Sequence, residues 1–266
     1  MFSRFRYKNI AIVADGKPLH FTIPRSKRIE EVIRNGFARN LEYTRRMMSI
    51  LPPWHTLLDI GGNVGYQAVL YALVDTNARP IHTFEPSQTN YACLVKNSAP
   101  YPNIVPHPFG LSDQNASGHL SMPDLKQYPK LKERSDNTGM LSLYGHGKRE
   151  SSSVSLRVLD PWAAEQGIAT DGCFIKIDVE GHEWHILQGA HAFLAGNNTF
   201  HVEFNPFAMR MSGMTGEQII AKFAAHDYAP YLFSEQTLEA FDPQSQSLPG
   251  GKFSERTVNL LFLKNR

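Results

Sequence analysis

From Leu57 onward, short apolar runs bounded by turn residues alternate with stretches in which apolar residues recur every three or four positions. The first pattern fits buried strands and the second amphipathic helices. Seven runs read as strands: HTLLDI, PIHTFEP, NIVPHPF, CFIKIDV, FHVEFNP, YAPYLF and TVNLLFL. Between them, VGYQAVLYALV, SQTNYACLVKNS, LDPWAAEQG and EWHILQGAHAFL read as helices. Ser87 is placed to cap the second of these. Thr215 with Gln218 makes a capping box for a further helix, GEQIIAKFAAH. Strand–helix alternation predicts an α/β fold: an open, mostly parallel seven-stranded sheet with helices on both faces. The last two strands have no helix between them, which predicts an antiparallel C-terminal strand. Pro106 and Pro108 cannot donate to a ladder, so the third strand belongs at an edge, as in the order 3-2-1-4-5.

Two segments stand outside the alternation. Residues 10–24 read as two strands joined at Asp15-Gly16, and residues 28–51 as one or two helices stopped by Pro52-Pro53. Residues 1–53 are therefore expected to form an N-terminal cap on a main domain at 54–266. Residues 112–156 are polar and too long for a plain connection. They read as an insertion with a small extra sheet built from GHLSM and SVSLRVL.

Composition narrows the class. With 42% apolar and 20% charged residues, the 266-residue chain has material for one large core. No apolar run reaches the roughly 20 residues that span a bilayer. The first ten residues have no apolar stretch of the secretory kind. Two cysteines, Cys93 and Cys173, exclude a disulfide scaffold and a cysteine zinc site. A reducing, cytoplasmic setting is the expectation. The first fifty residues hold eleven Lys/Arg against four Asp/Glu, although the whole chain is only +2. The basic residues are scattered, with no interleaved aromatics for base stacking, so a solvated helical face is favoured over a nucleic-acid surface.

The chemistry concentrates in two places. Asp59-Ile60-Gly61-Gly62-Asn63-Val64-Gly65-Tyr66 joins the first strand of the alternation to its helix. A glycine turn there lets a ligand approach backbone N–H groups at a positive helix end. Glu85, at the end of the next strand, is placed to accept ribose hydroxyls. A pyrophosphate cofactor would need G-x-G-x-x-G, but Asn63 and Tyr66 stand at the second and third glycine places counted from Gly61. S-adenosylmethionine has no phosphate to accommodate, and its ammonium suits a carboxylate such as Asp59. The bland alternative is a tight turn that binds nothing.

The second place is Ile175-Lys176-Ile177-Asp178-Val179-Glu180-Gly181-His182-Glu183, at the end of the fourth strand. Ligands in open α/β sheets sit at the carboxyl ends of strands, where the strand order reverses. Asp178 and Glu180 are thus expected near the methyl end of the cofactor, with Glu203 and Asn205 converging from the fifth strand. Transfer to a hydroxyl needs a proton acceptor, and His182, Asp178 and Glu180 all qualify. A surface histidine at a helix start explains His182 equally well. Glu183 is accounted for by the helix dipole alone. Asp178, Glu180 and Glu203 could also hold a divalent cation, but their spacing does not require one, and none is expected. His107, His119, His146, His185, His191 and His226 show no ligand spacing.

These residues together resemble the FkbM family of S-adenosylmethionine-dependent methyltransferases. The resemblance rests on LLDIGGNVGY, FEPSQTNYACLVKN, FGLSD, N-T-G-M-L-S-L, S-L-R-V-L-D and FIKIDVEGHEWHILQGA, in that order. It covers the chain from about Phe21 to the end of the fifth strand. It implies a class I, Rossmann-like methyltransferase fold and commonly an O-methyl product on a sugar, glycan or secondary metabolite. It also implies that Asp59, Gly61, Gly62, Asn63, Gly65 and Tyr66 surround the methionine part, and that Glu85 holds the ribose. Pro86, Ser87, Gly110 and Leu111 would flank the adenine, with Asp178 beside the sulfonium. Gly62 stands where the family more often has alanine. The basic N-terminal half, Arg25, Lys27 and Arg28 included, suggests an anionic acceptor. A nucleic-acid or protein methyltransferase, a catalytically inactive S-adenosylmethionine-binding protein and, last, an NAD dehydrogenase are the competing readings.

Overall fold

The computed structural model describes residues 7–124, 126, 137–145, 147, 152–234, 237–242 and 257–265. Arg4, Arg6, His146 and Ser151 lie outside them. The chain opens with a hairpin, β1 (Tyr7–Ala14) and β2 (Lys17–Pro24). Asp15 and Gly16 both take positive φ (46° and 77°), the conformation that matches a two-residue turn to strand twist. A single helix follows, α1 (Lys27–Ile50), whose N-cap Ser26 accepts from Ile29 N–H at 3.1 Å. Its buried stripe includes Ile29, Ile33, Phe37, Leu41 and Met47. Each such side chain contributes about 1.5–3 kcal/mol when fully withdrawn from water. The stripe joins Leu57, Val69 and Phe174 in one cluster, so the N-terminal segment helps complete the core on that side of the sheet.

The main sheet is built from β3 (Thr56–Ile60), β4 (Ile81–Phe84), β5 (Ile104–His107), β9 (Cys173–Ile177), β10 (Thr199–Phe204), β11 (Tyr228–Ser234), β12 (Thr237–Ala240) and β13 (Val258–Lys264). Among the described residues its order is β12-β11-β13-β10-β9-β3-β4-β5. The five strands from β5 to β10 pair in parallel, and β13 runs antiparallel to both β10 and β11. The order of the first five expected strands and the antiparallel last strand are thus observed, with β5 at the edge that its prolines demand. The count of seven is corrected to eight: Thr237–Ala240 folds back on β11. That segment is short and largely exposed, so no apolar alternation announced it.

Helices α2 (Tyr66–Val74), α3 (Gln88–Ser98), α4 (Leu159–Gln166), α5 (Glu183–Gln188), α6 (His191–Ala195), α7 (Pro206–Ser212) and α8 (Gly216–Ala224) complete the layers. Ser87 caps α3 through Asn90 N–H, and the Thr215–Gln218 capping box is present at α8. The single helix expected over 183–194 is instead α5 and α6. At Gly189 the backbone passes so close to Ser112 that an added Cβ would lie 2.3 Å from its carbonyl oxygen. Asp160 N–H then takes the Gly189 carbonyl, and the Asp160 carboxylate receives Ala192 N–H at 2.8 Å. Tertiary contacts thus break the helix at its glycine. Helix α7 is an addition to the expected helices, and Asn205 before Pro206 is its start signal.

The segment after β5 forms a second sheet from β6 (Gly110–Ser112), β7 (Ala116–Leu120) and β8 (Ser152–Val158), in the order β6-β8-β7. Residues 137–145 cross between this sheet and the ends of the main strands, with a 3-10 turn at Thr138–Met140. Among the described residues, no helix is long and apolar enough to cross a membrane.

Candidate functional site

Three tight backbone approaches shape the carboxyl ends of the parallel strands. Gly61 takes φ +91°, and a Cβ there would lie 1.9 Å from the Asp178 carbonyl oxygen. Only glycine lets the turn after β3 meet the end of β9 this closely. A Cβ at Gly62 would lie 2.1 Å from Thr83 Oγ1. The threonine hydroxyl fills the place of the methyl group that the family resemblance leads one to expect there. Gly181, at φ +105°, passes the Ala208 carbonyl, and the preceding Glu180 is itself left-handed at φ +54°. A non-glycine residue held in that region stores strain, as residues at functional sites often do.

A cavity of about 380 Å³ opens over these turns. That lies within the range of roughly 300–1,000 Å³ for small-molecule sites. Gly61, Gly62, Asn63, Tyr66, Glu85 and Pro86 form one wall, and Gly110 and Leu111 another. Asp178, Glu180, His182 and Glu203 stand at the far end. Three of the sequence-derived residues stay behind the wall. Gly65 is the left-handed N-cap of α2, packed on Leu94. Ser87 caps α3. Asp59 is fully buried, accepting from Thr83 Oγ1 at 3.0 Å with its other oxygen 3.3 Å from Lys176 Nζ.

Glu85 is held by two backbone donors. Its Oε2 accepts from Asn63 N–H and its Oε1 from Ser87 N–H, both at 2.8 Å. The carboxylate therefore staples the glycine turn to the start of α3. Burial pushes its pKa up to about 7, against the pull of those two bonds. Nearby, the side-chain oxygens of Asn63 and Asn90 are buried without a partner. Both residues line the cavity, so an acceptor pair waits beside Glu85 for ligand hydroxyl or amino groups.

The far end is a cluster of charges. Asp178, Glu180 and Glu203 can each bring an oxygen within 4.8 Å of the others. Glu180 Oε2 accepts from Asn205 Nδ2 at 2.9 Å. Burial and the neighbouring Asp178 push Glu180 and Glu203 well above the ordinary carboxylate range. Lys176 enters the cluster from β9, with Nζ 3.3 Å from Asp178 Oδ2, and lines the cavity.

His182 is placed differently from a free base. Its Nε2 meets Ser112 Oγ at 2.9 Å and its Nδ1 meets Tyr144 OH at 3.1 Å. Burial lowers its pKa to about 4, so the ring is neutral near pH 7. Both nitrogens join the second sheet and the 137–145 segment to the end of β9. Ser142 Oγ adds a bond to the Glu180 carbonyl at 2.8 Å. Glu183 accepts from Val179 and Gly181 N–H and so holds the same loop in shape.

Several wall residues had no role assigned from sequence. Lys176 was visible as the one charge inside an apolar strand. Asn90, Asn137 and Gly139 come from helix α3 and from a segment distant in the chain. Ile29, Val32 and Ile33 of α1 form an apolar part of the wall. Helical periodicity marked the isoleucines as buried, but not against what. The basic residues of α1 are partly paired: Arg34 with Glu30, Arg45 and Arg46 with Glu42, Arg28 with Glu31. Such exposed pairs are screened by solvent and contribute little.

Among solved structures, the chain is similar to a methyltransferase FkbM from Methylobacillus flagellatus KT, with 14% identity and a TM-score of 0.45. The match covers 81% of this chain, which spans 45% of that protein. It is also similar to a precorrin-6y C5,15-methyltransferase from Geobacter metallireducens, with 9% identity, TM-score 0.43 and coverage of 85% and 87% of the two chains. An O-methyltransferase from Bacillus cereus, in complex with SAH, gives 12% identity, TM-score 0.42 and coverage of 91% and 93%. No curated protein matches the chain. Residues 59–230 match the methyltransferase FkbM domain, from the acid before the glycine turn to the penultimate long strand of the sheet. That span holds both turns, Glu85 and the carboxylate cluster, and the chain belongs to the FkbM family of S-adenosylmethionine-dependent methyltransferases.

Proposed function

We propose that this chain transfers a methyl group to a hydroxyl of a neutral, polyhydroxylated small molecule, such as a sugar, glycan or secondary metabolite. Bound in the cavity, S-adenosylmethionine supplies an electrophilic methyl group on a sulfonium. Glu85, with the free oxygens of Asn63 and Asn90 beside it, receives the ribose hydroxyls. The turns at Gly61–Asn63 and Gly110–Leu111 would flank the cofactor, with Asp178 on the side of its methyl group. The observation that carries the reading is the carboxylate cluster at the cavity end. A carboxylate whose pKa is raised is matched to taking a hydroxyl proton as the carbon–oxygen bond forms and the methyl–sulfur bond breaks, leaving S-adenosylhomocysteine. Glu180 and Glu203 meet that requirement. His182 does not, because both its nitrogens are engaged.

An uncharged acceptor follows from the lining. The cavity end carries three carboxylates, and the α1 wall is apolar. Arg25, Lys27 and Arg28 are not among the wall residues. The carboxylates there outnumber the one ammonium, that of Lys176, which disfavours an anionic acceptor.

Calorimetric titration with S-adenosylhomocysteine, on wild type and Glu85→Ala with NAD as control, tests the cofactor half. Binding to wild type, its loss in the variant and no response to NAD are expected. Labelled methyl transfer to neutral, phosphorylated and carboxylated sugars, and to RNA, tests the acceptor half. Turnover confined to RNA or to the anionic sugars would sink the neutral-acceptor reading. Tight cofactor binding without turnover on any acceptor would favour the inactive scaffold.

A further inference from the structure

Lys176 interrupts the apolar strand Phe174-Ile175-Lys176-Ile177, yet it is 8% exposed. Burying an ammonium costs heavily unless it is paired. In register across β3, β9 and β10, Lys176 lies between Asp59 and His201. Its Nζ is 3.3 Å from Asp59 Oδ1 on one side and 3.3 Å from Asp178 Oδ2 on the other. Glu203 adds a further attraction, and together these acids hold Lys176 firmly protonated despite its burial. His201, buried with both ring nitrogens unpartnered, stays neutral, its pKa lowered to about 4 by burial and by Lys176. The row therefore carries a single cation, facing four acids.

Three carboxylates that can converge within 4.8 Å form the donor set that ordinarily takes a divalent cation. Here the Lys176 ammonium already stands 3.3 Å from one of them, Asp178. We propose that Lys176 is a positioning residue that serves as the resident counter-cation of the carboxylate cluster. It ties the acid beneath the glycine turn to the acid at the transfer end, and it holds the place an external metal ion would otherwise take. Two consequences follow. The turn after β3 and the end of β9 move as one unit, because their acids share one ammonium. The cluster keeps its shape without added metal, so the transfer end is organised before any ligand arrives.

The test uses the full chain without acceptor. Thermal melting is followed in EDTA, Mg2+ and Mn2+ for wild type, K176R and K176M. Wild type is expected to melt alike in all three. K176R should melt near wild type, since a longer cation still bridges the acids. K176M should melt lower and recover part of the loss in Mn2+, which then fills the vacated charge position. If K176M does not fold, K176M/D178N should, because removing one acid relieves the uncompensated cluster. Wild type stabilised by either cation would overturn the proposal, as would K176M melting like wild type. It would also fall if K176M gained nothing from cation or from D178N. The proposal rests on the cavity being the transfer site, yet the melts read the cluster alone. Loss of S-adenosylhomocysteine binding with the expected melts would fail the cofactor assignment only, and the reverse pattern would fail this inference only.

Discussion

Glu85, which is buried, and the half-buried Asp178–Glu180–Glu203 cluster stand at opposite ends of one cavity, and they are satisfied in different ways. Glu85 is fixed by two peptide N–H groups from neighbouring turns. Its geometry is set by backbone, and its remaining lone pairs stay available to a ligand. The cluster leans on one lysine, one asparagine and shared protons. Backbone donors fix a position, whereas side-chain charges fix a protonation state. A binding acid needs the first, and an acid that must receive a proton needs the second.

The largest effect that would break this contrast is at Gly61. Gly61→Ala forces a Cβ into the Asp178 carbonyl at a left-handed φ and separates the two ends. A loss of about 3 kcal/mol or more is expected, read by denaturant unfolding. Next comes Glu85→Ala. Losing two charge-assisted bonds at about 1.5–3 kcal/mol each should weaken S-adenosylhomocysteine roughly a hundredfold or more by calorimetry. Glu85→Gln should fall between, since it keeps one acceptor.

Protonation sharpens the contrast further. Ligand hydroxyls need the charged form of Glu85, whose pKa is about 7. Affinity for S-adenosylhomocysteine should therefore be flat above pH 8 and fall about tenfold per unit below 7. Stability of the free protein should move oppositely over part of that range. Folded-state pKa values near 7 for Glu85 and Glu183 lie above the ordinary value, so their contribution is full at low pH and lost as pH rises through 7. His107, His182 and His201, lowered to about 4 by desolvation, work the other way and cost stability once pH falls below about 6.5. Glu180 and Glu203, raised as well, add to the first group, so the melting temperature should rise from pH 8 to about 6.5. A curve flat or falling as pH drops over that window would contradict this balance.

Smaller effects separate the two kinds of acid. Glu203→Gln removes a charge the site disfavours, so it should raise the melting temperature slightly at pH 8 while abolishing transfer. Tyr144→Phe loses its bond to His182 and should cost about 1 kcal/mol. Transfer should largely survive, because the ring serves to hold the 137–145 segment. Abolished transfer in Tyr144→Phe with unchanged stability would return His182 to the proton path.

Much of the fold was legible because its strands are buried on both faces and write themselves as continuous apolar runs. The prolines of β5, the caps at Ser87 and Thr215 and the Asp15-Gly16 turn are local signals with local causes. The break between α5 and α6 and the strand β12 were not legible, because each is decided by a neighbour: the Ser112 backbone for one, an exposed hairpin partner for the other. At the site the division is the same. The glycine turn, Glu85 and the acids after β9 announce themselves by residue type and spacing, since turns and strand ends impose fixed offsets. Nothing in the spacing said that Asp59 lies behind the wall, that Lys176 joins it to Asp178, or that Ser112 and Tyr144 take both nitrogens of His182. Hydrogen-bond partners and desolvation arise between segments far apart in the chain. The sequence alone therefore determined the turns and strand ends that carry the chemistry-bearing residues, because residue type and spacing act locally, and the tertiary structure decided which of them line the cavity and what each is paired with.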